Sequence, residues 1–421
     1  EVKDKDSSAS LRFAQNDNKR NKVEHMGNYF NQNNFNASKK QFAKSSKKGL
    51  PGFIKVDYPI IIFTLIFVCF GLIFTYSSSA FKDSTYFFSR QLLFVFVGLI
   101  LMGFLSQYYH KIQKKISPAY IMIITWILLI IPLFTSPVAN VHRWISLGPI
   151  NIQPSEIAKL ALIIYLAHFL NNVAGKINKS YKPLIPALIV VLITLALISK
   201  APDLGTPTLM FGIFIMMIYV AGAKIRYILS LLAGAMCAVA YLIIKYPYRI
   251  ERIFAFLSPE GTSREAGYQL VQSSLAIGSG GWFGKGLGNS QIKMEYLPAA
   301  HTDFIFSIMA EEAGMIMMFG LIALFCAFLC RGITLAKAAK DNYNSLLIFG
   351  ITTTIIFQAF FNMVVALGLV PTKGLPLPFF SYGGSSILIT LAMVGILLNT
   401  ASLEVSASYQ KVRRGRRKFY D

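Results

Sequence analysis

Charge is scarce in this chain. Asp, Glu, Lys and Arg make up 14% of its 421 residues, whereas a soluble domain carries about a quarter. Acids are scarcest, with 19 Asp+Glu against 41 Lys+Arg. Cysteine is rare as well. Cys69, Cys237, Cys326 and Cys330 all lie in apolar stretches, with no His or second thiol pair beside them. That excludes a disulfide scaffold and a zinc site, and the four read as small apolar core residues. Five scattered histidines form no HExxH. Apolar residues are plentiful: 54% of the chain, including 34 Phe, with a mean hydropathy of +0.53. This composition excludes a soluble enzyme and a disordered protein.

Ten apolar runs have membrane-spanning character, at about 58–78, 90–106, 118–135, 156–172, 184–199, 207–221, 225–244, 303–330, 346–369 and 384–401. The expected fold is an all-α polytopic membrane protein. An even number of spans puts both termini on one side. The net charge of +22 would suggest nucleic acid in a soluble protein, but here it follows the positive-inside rule. Twelve Lys/Arg lie in the first 57 residues, six in the last eleven, and eleven in alternate loops such as Lys111–Lys115 and Lys176–Lys182. The opposite segments hold eleven, so both tails are expected in the cytoplasm.

The expected organisation is a polar, disordered cytoplasmic tail over 1–57, a membrane domain over 58–401 and a basic cytoplasmic tail over 402–421. The first run, starting near Tyr58, is expected to act as an uncleaved anchor and not as a signal peptide. The short turn Gly222–Lys224 implies that the sixth and seventh spans pack as an antiparallel hairpin.

One extracytoplasmic loop, 245–302 between the seventh and eighth spans, is long enough to carry function or structure of its own. Its glycine-rich stretch Gly278–Gly288 fails the phosphate-loop pattern. Ser279 stands five before Gly284, and Gly286 follows Lys285 where Ser or Thr is required. The stretch is either a tightly turned or flexible loop, or a nest of backbone amides for a lipid pyrophosphate.

Polar residues at or inside the apolar runs are costly unless paired or solvated. Asp303 opens the eighth span in His301-Thr302-Asp303-Phe304. Either Thr302 or Asp303 caps the helix, or Asp303 is a carboxylate at the outer mouth, where partial burial would raise its pKa toward that of a general base. Glu311 and Glu312 follow two turns later, Glu311 near the face of Asp303 and Glu312 roughly opposite that face, and at least one needs a partner. Arg143-Trp144-Ile145 precedes Gln153-Pro154-Ser155-Glu156. Pro154 suits a first helical turn, and Glu156 with Lys159 has ion-pair spacing. Asp203-Leu204-Gly205-Thr206 joins the fifth and sixth spans. Pro371–Ser386 joins the ninth and tenth, with three prolines in eight residues and Lys373 as its single charge. A mouth lined by acids and cations suits an anionic lipid-linked substrate, or a metal held by acids.

These motifs, in this order, resemble the SEDS family (shape, elongation, division and sporulation) over about residues 58–401: Arg143-Trp144-Ile145, Gln153–Glu156, Asp203–Thr206, His301–Phe306 and Ser381–Ser386. Gly286–Ser290, Lys293 before Tyr296-Leu297-Pro298, and Pro371–Gly374 are closer to the division branch than to the elongation branch. Ala299, where division relatives often carry Glu, and Pro207, where a small residue is common, depart from the pattern.

The resemblance implies a septal peptidoglycan glycosyltransferase that polymerises lipid II into β-1,4 glycan and releases undecaprenyl pyrophosphate. The alternatives are an elongation polymerase and a lipid II flippase. Asp303 matches the family's essential residue. Arg143, Trp144, Glu156, Lys159, Asp203, His301, Lys373 and Ser381 match supporting or substrate-binding positions. No cofactor is certain. A divalent cation, Mg or Mn, would sit on outer-cavity acids such as Asp303 or Glu156. Implied partners are a class B penicillin-binding transpeptidase, other divisome membrane proteins and membrane lipids, the last through Arg413–Lys418; no nucleic acid is implied. The expected location is the cytoplasmic membrane at the septum, with the active site on the extracytoplasmic side.

Overall fold

The computed structural model describes residues 57–79, 84–135, 142–148, 150–201, 205–245, 256, 265–290, 302–371 and 374–417. The first tail, apart from Asp57, lies outside them. Side chains beyond Ser402 also lie outside, among them the basic cluster Arg413–Lys418.

Eleven α-helices occur among the described residues. They are α1 Tyr58–Ser79, α2 Ser84–Lys115, α3 Pro118–Phe134, α4 Pro154–Val173, α5 Ile185–Lys200, α6 Gly205–Val220, α7 Ile225–Lys245, α8 Glu265–Ser279, α9 Ile305–Ala338, α10 Asn342–Ala366 and α11 Gly384–Arg417. Each expected apolar run is helical, the eighth with a break at Gly314 inside α9. Eight are long and apolar enough to cross a membrane. The shorter apolar helices α3 and α6 have 17 and 16 residues. Helices suit this setting because they satisfy backbone hydrogen bonds within one segment.

The helices also run past their apolar windows. Lys111, Lys114 and Lys115, expected in a loop, lie in the last turns of α2. Backbone hydrogen bonding extends a helix beyond the residues that favour lipid, and a cationic last turn complements the helix dipole.

α10 and α11 are the central helices, and their apolar lengths are mostly buried. α2 lies close along α11. A Cβ on Gly98 would come within 2.5 Å of Leu391 Cδ1, and one on Gly395 within 2.6 Å of the Met102 carbonyl oxygen. Small residues at such crossings let helices gain packing that lipid does not supply. Asn399 bridges the pair, accepting from His110 N and donating to Ser106 O. Large apolar residues on α1, α2 and α3, such as Ile62, Phe96 and Ile124, point outward, as lipid-facing surfaces require.

Two expectations need correction. The four cysteines are exposed on the outer surface and are not core residues; in a bilayer protein an apolar side chain is as well solvated by lipid as by the interior. α6 and α7 do not form a packed hairpin. Ile228 is the buried residue of α7 nearest the turn, while Leu229, Met236 and Ile244 are exposed. A short turn fixes proximity at one end without supplying complementary faces. The fold also carries a small antiparallel hairpin, Ile145–Leu147 with Ile150–Ile152. Gly148, at φ +69, turns it, as two-residue hairpin connections favour.

Candidate active site

The sequence motifs meet at the end of the bundle where α4, α6, α9 and α11 begin. The segment from Gly374 to Gly383, between α10 and α11, is their common neighbour.

Asp303 lies just before α9, half-buried. The N-cap position falls on Phe304, which offers no side-chain hydrogen bond, so neither Thr302 nor Asp303 occupies it. The backbone on both sides of the Asp303 carboxylate is held instead. Asn362, on α10, donates through Nδ2 to Asp303 O and to Leu375 O, each at 2.8 Å. Ser381 Oγ donates to Thr302 O and accepts from Leu377 N at 2.8 Å. Gly374 faces the carboxylate: a Cβ there would lie 3.0 Å from Asp303 Oδ2.

Glu156 and Lys159 form the expected pair on α4, at 2.9 Å and almost fully buried. Lys159 Nζ donates to Gln358 Oε1 at 2.6 Å, and Gln358 Nε2 donates to Pro376 O at 2.8 Å. The pair thus supports the proline-rich segment from below. Pro154 occupies the first turn of α4 as expected. Ser385 Oγ donates to Asn151 O and accepts from Gln153 N, tying the hairpin and the α4 entry to α11. A Cβ on Gly205 would meet Leu375 Cγ at 2.9 Å, so α6 starts directly against the same segment.

Arg143 and Trp144 are half-buried before the hairpin. Arg143 lines a small cavity of about 20 Å³ with His142, Pro154, Ser155 and Ile198. Tyr382 follows Ser381; burial raises its hydroxyl's pKa above the ordinary value, and nearby Arg90 opposes that shift. Asp203, His301 and Lys373 lie outside the described residues. Among the described residues no three His, Cys, Asp or Glu side chains converge as a metal site, and Glu156 is engaged by Lys159. These residues do not fit a cation held by several carboxylates.

At least one of Glu311 and Glu312 was expected to need a partner, and both have one. Glu311 meets Lys285 Nζ at 2.8 Å and accepts from Ser290 Oγ at 2.5 Å. Glu312 accepts from Ser77 Oγ, on α1, at 2.5 Å. The glycine-rich stretch is a tight turn, not an open amide nest. Lys285 N and Gly286 N donate to Glu311 O and Glu312 O, Gly284 N to Gly280 O, and Gly288 N to Ser77 Oγ.

Asn362 and Gln358 were not singled out in the sequence. They stand at i, i+4 on one face of an apolar run, and amides at that depth are a signal in themselves.

The fold and site define a polytopic membrane protein with polar chemistry gathered at one mouth of its bundle. The family model described as "Cell cycle protein" (FtsW, RodA, SpoVE) matches residues 58–405. The "Probable peptidoglycan glycosyltransferase FtsW" of Geobacter sp. (strain M18) is 38% identical over 354 residues, covering 82% of this chain and 96% of that protein. "Stage V sporulation protein E" of Bacillus subtilis (strain 168) is 41% identical over 354 residues, with the same coverage of 82% and 96%. Among solved structures, a chain from a peptidoglycan synthase complex that coordinates polymerization and crosslinking aligns with a TM-score of 0.70 at 26% identity, covering 84% of this chain and 99% of that one. The rod shape determining protein RodA of Thermus thermophilus aligns at 0.62 and 27%, covering 83% and 98%. This chain belongs to the FtsW/RodA/SpoVE family, which is the SEDS family.

Proposed function

We propose that this protein is a peptidoglycan glycosyltransferase of the division branch, polymerising lipid II at the septum with Asp303 as general base. The observation that carries the reading is Asp303 itself: a half-buried carboxylate at the bundle mouth, clamped by Asn362 and Ser381, with glycine opposite. Asp303 accepts the proton of the acceptor sugar's 4-hydroxyl. That oxygen bonds to the donor's anomeric carbon, whose bond to the pyrophosphate oxygen breaks. Undecaprenyl pyrophosphate leaves with the electron pair, and inversion gives the β-1,4 link. Arg143 and Lys373 are the cations assigned to the leaving group's charge.

The proposed orientation puts this mouth outside the cytoplasm, with the lysine-rich helix ends inside. A class B penicillin-binding transpeptidase is the proposed partner, in line with the synthase complex that the fold resembles. A transporter would need mobile intramembrane charges. Here Glu156, Lys159, Glu311 and Glu312 are all committed to partners within the bundle.

The test is polymerisation of lipid II by the purified chain with its transpeptidase, the crosslinking site being blocked. Asp303→Asn should lower glycan yield by about 10²–10⁴-fold, the usual contribution of a general base, while partner binding is retained. A variant with normal yield would remove Asp303 from the chemistry.

A further inference from the structure

α9 is not one helix. Gly314 adopts φ 75, ψ 176 and splits it into a short first part, 305–313, and a long remainder. Such a break leaves carbonyls of the first part and amides of the second without helical partners, and unpaired groups at membrane depth are strongly disfavoured. The turn after α8 supplies those partners. Lys285 N and Gly286 N donate to Glu311 O and Glu312 O at 2.9 Å each, while Met315 N and Ile316 N donate to Gly281 O and Trp282 O at 2.9 and 3.3 Å. Only glycine permits this approach: a Cβ on Gly280 would lie 2.1 Å from Ala310 O, and one on Gly284 2.2 Å from Glu312 O.

A charge locks the turn in place. Lys285 Nζ meets Glu311 Oε1 at 2.8 Å, the glutamate fully buried and the lysine 30% exposed. Ser290 Oγ donates to the other carboxylate oxygen, and Ser279 Oγ lies 3.4 Å from the first. On the other side Ser77 joins Glu312 to Gly288 N.

Because of the break, the remainder of α9 does not rigidly set where its first part sits. That first part follows directly on Asp303, about 12 Å along the axis from Glu311 at 1.5 Å per residue. We infer that Lys285 and Glu311 are a positioning pair for glycosyl transfer: their ion pair fixes the short helix that places the Asp303 carboxylate. The inference rests on the proposed function. It gives the extracytoplasmic turn a mechanical task in place of the anion-binding task its glycines suggest.

Lys285→Met alone would strand a buried carboxylate and endanger folding. The deciding variant is therefore the neutral double, Lys285→Met with Glu311→Gln, in which the Gln oxygen can accept from one serine and its amide can donate to the other. It is compared with wild type and with Lys285→Arg, as the full chain with its transpeptidase and lipid II. The double should lower kcat about 10- to 100-fold with KM within about twofold, since a misplacement near 1 Å costs about 10²-fold. Its hydrogen exchange should quicken in 280–290 and 305–313 with other helices unchanged. Lys285→Arg, which keeps the charge, should escape most of the loss in kcat. A folded double variant with wild-type kcat would overturn the inference, as would unchanged exchange in 305–313. A fall in kcat that Lys285→Arg shares in full would also count against it, because charge and reach would then not be what matters. A wild-type complex that makes no glycan would overturn the underlying function, and the wild-type reaction alone reveals that case.

Discussion

Removing Lys159 should do far more damage than removing a surface lysine. Its ammonium is 0% exposed and lies 2.9 Å from a Glu156 carboxylate that is 2% exposed. An exposed ion pair contributes about 0–1 kcal/mol, but breaking a buried one leaves an uncompensated charge and costs about 3–5 kcal/mol. Lys159→Met also takes the donor from Gln358 Oε1, a further cost of about 1 kcal/mol. The expected loss, about 4–6 kcal/mol in all, is a factor of about 10³ to 10⁴ in the folding equilibrium, at about 1.4 kcal/mol per tenfold. Replacing both charges, Glu156→Leu with Lys159→Met, removes the stranded charge and should return stability to within about 2 kcal/mol of wild type. The assay is denaturant unfolding in detergent, followed by tryptophan fluorescence, for wild type, both single variants and the double. The cycle should show a coupling of about 3 kcal/mol or more. Single losses below about 1 kcal/mol, or costs that simply add, would refute the view that burial makes this pair structural.

Gly71→Ala and Asn362→Leu test the frame around Asp303, and Gly103→Ala is their control. Gly71→Ala places a methyl 2.1 Å from the Phe379 carbonyl oxygen. Phe379 already sits at φ 70, so thermal unfolding should show a loss of about 1–3 kcal/mol from overpacking. Gly103→Ala, with nothing within 4 Å, should be neutral or stabilising by up to about 1 kcal/mol. Asn362→Leu deletes the donors to Asp303 O and Leu375 O; it should lower kcat about tenfold or more while transpeptidase co-purification persists, as steady-state kinetics would report.

Much of the mouth was legible in the sequence because its signals are local or chemically costly. Pro154, Glu156 and Lys159 declare a helix start and an i, i+3 pair within six residues. At least one of Glu311 and Glu312 had to find a partner, since charges in an apolar run are costly when left bare. Their partners were not legible: Lys285 lies 26 residues from Glu311, and Ser77 lies 235 from Glu312. Asp303 stood out as an acid at the edge of an apolar run, but Asn362, which holds it, is 59 residues away. The glycine-rich turn misled because the same open backbone serves an anion or another backbone equally well.

The sequence by itself determined the ten apolar helices and their order, because a bilayer admits few ways to satisfy a backbone and apolar length is a one-dimensional property. Tertiary structure alone decided that α9 breaks at Gly314, that α7 stands off from α6, and that four distant motifs share the Gly374–Gly383 segment. Each of these depends on whether a complementary group is within reach in space. A broken helix is stable only where another strand of backbone takes up its orphaned hydrogen bonds, and no local pattern states where that backbone will be.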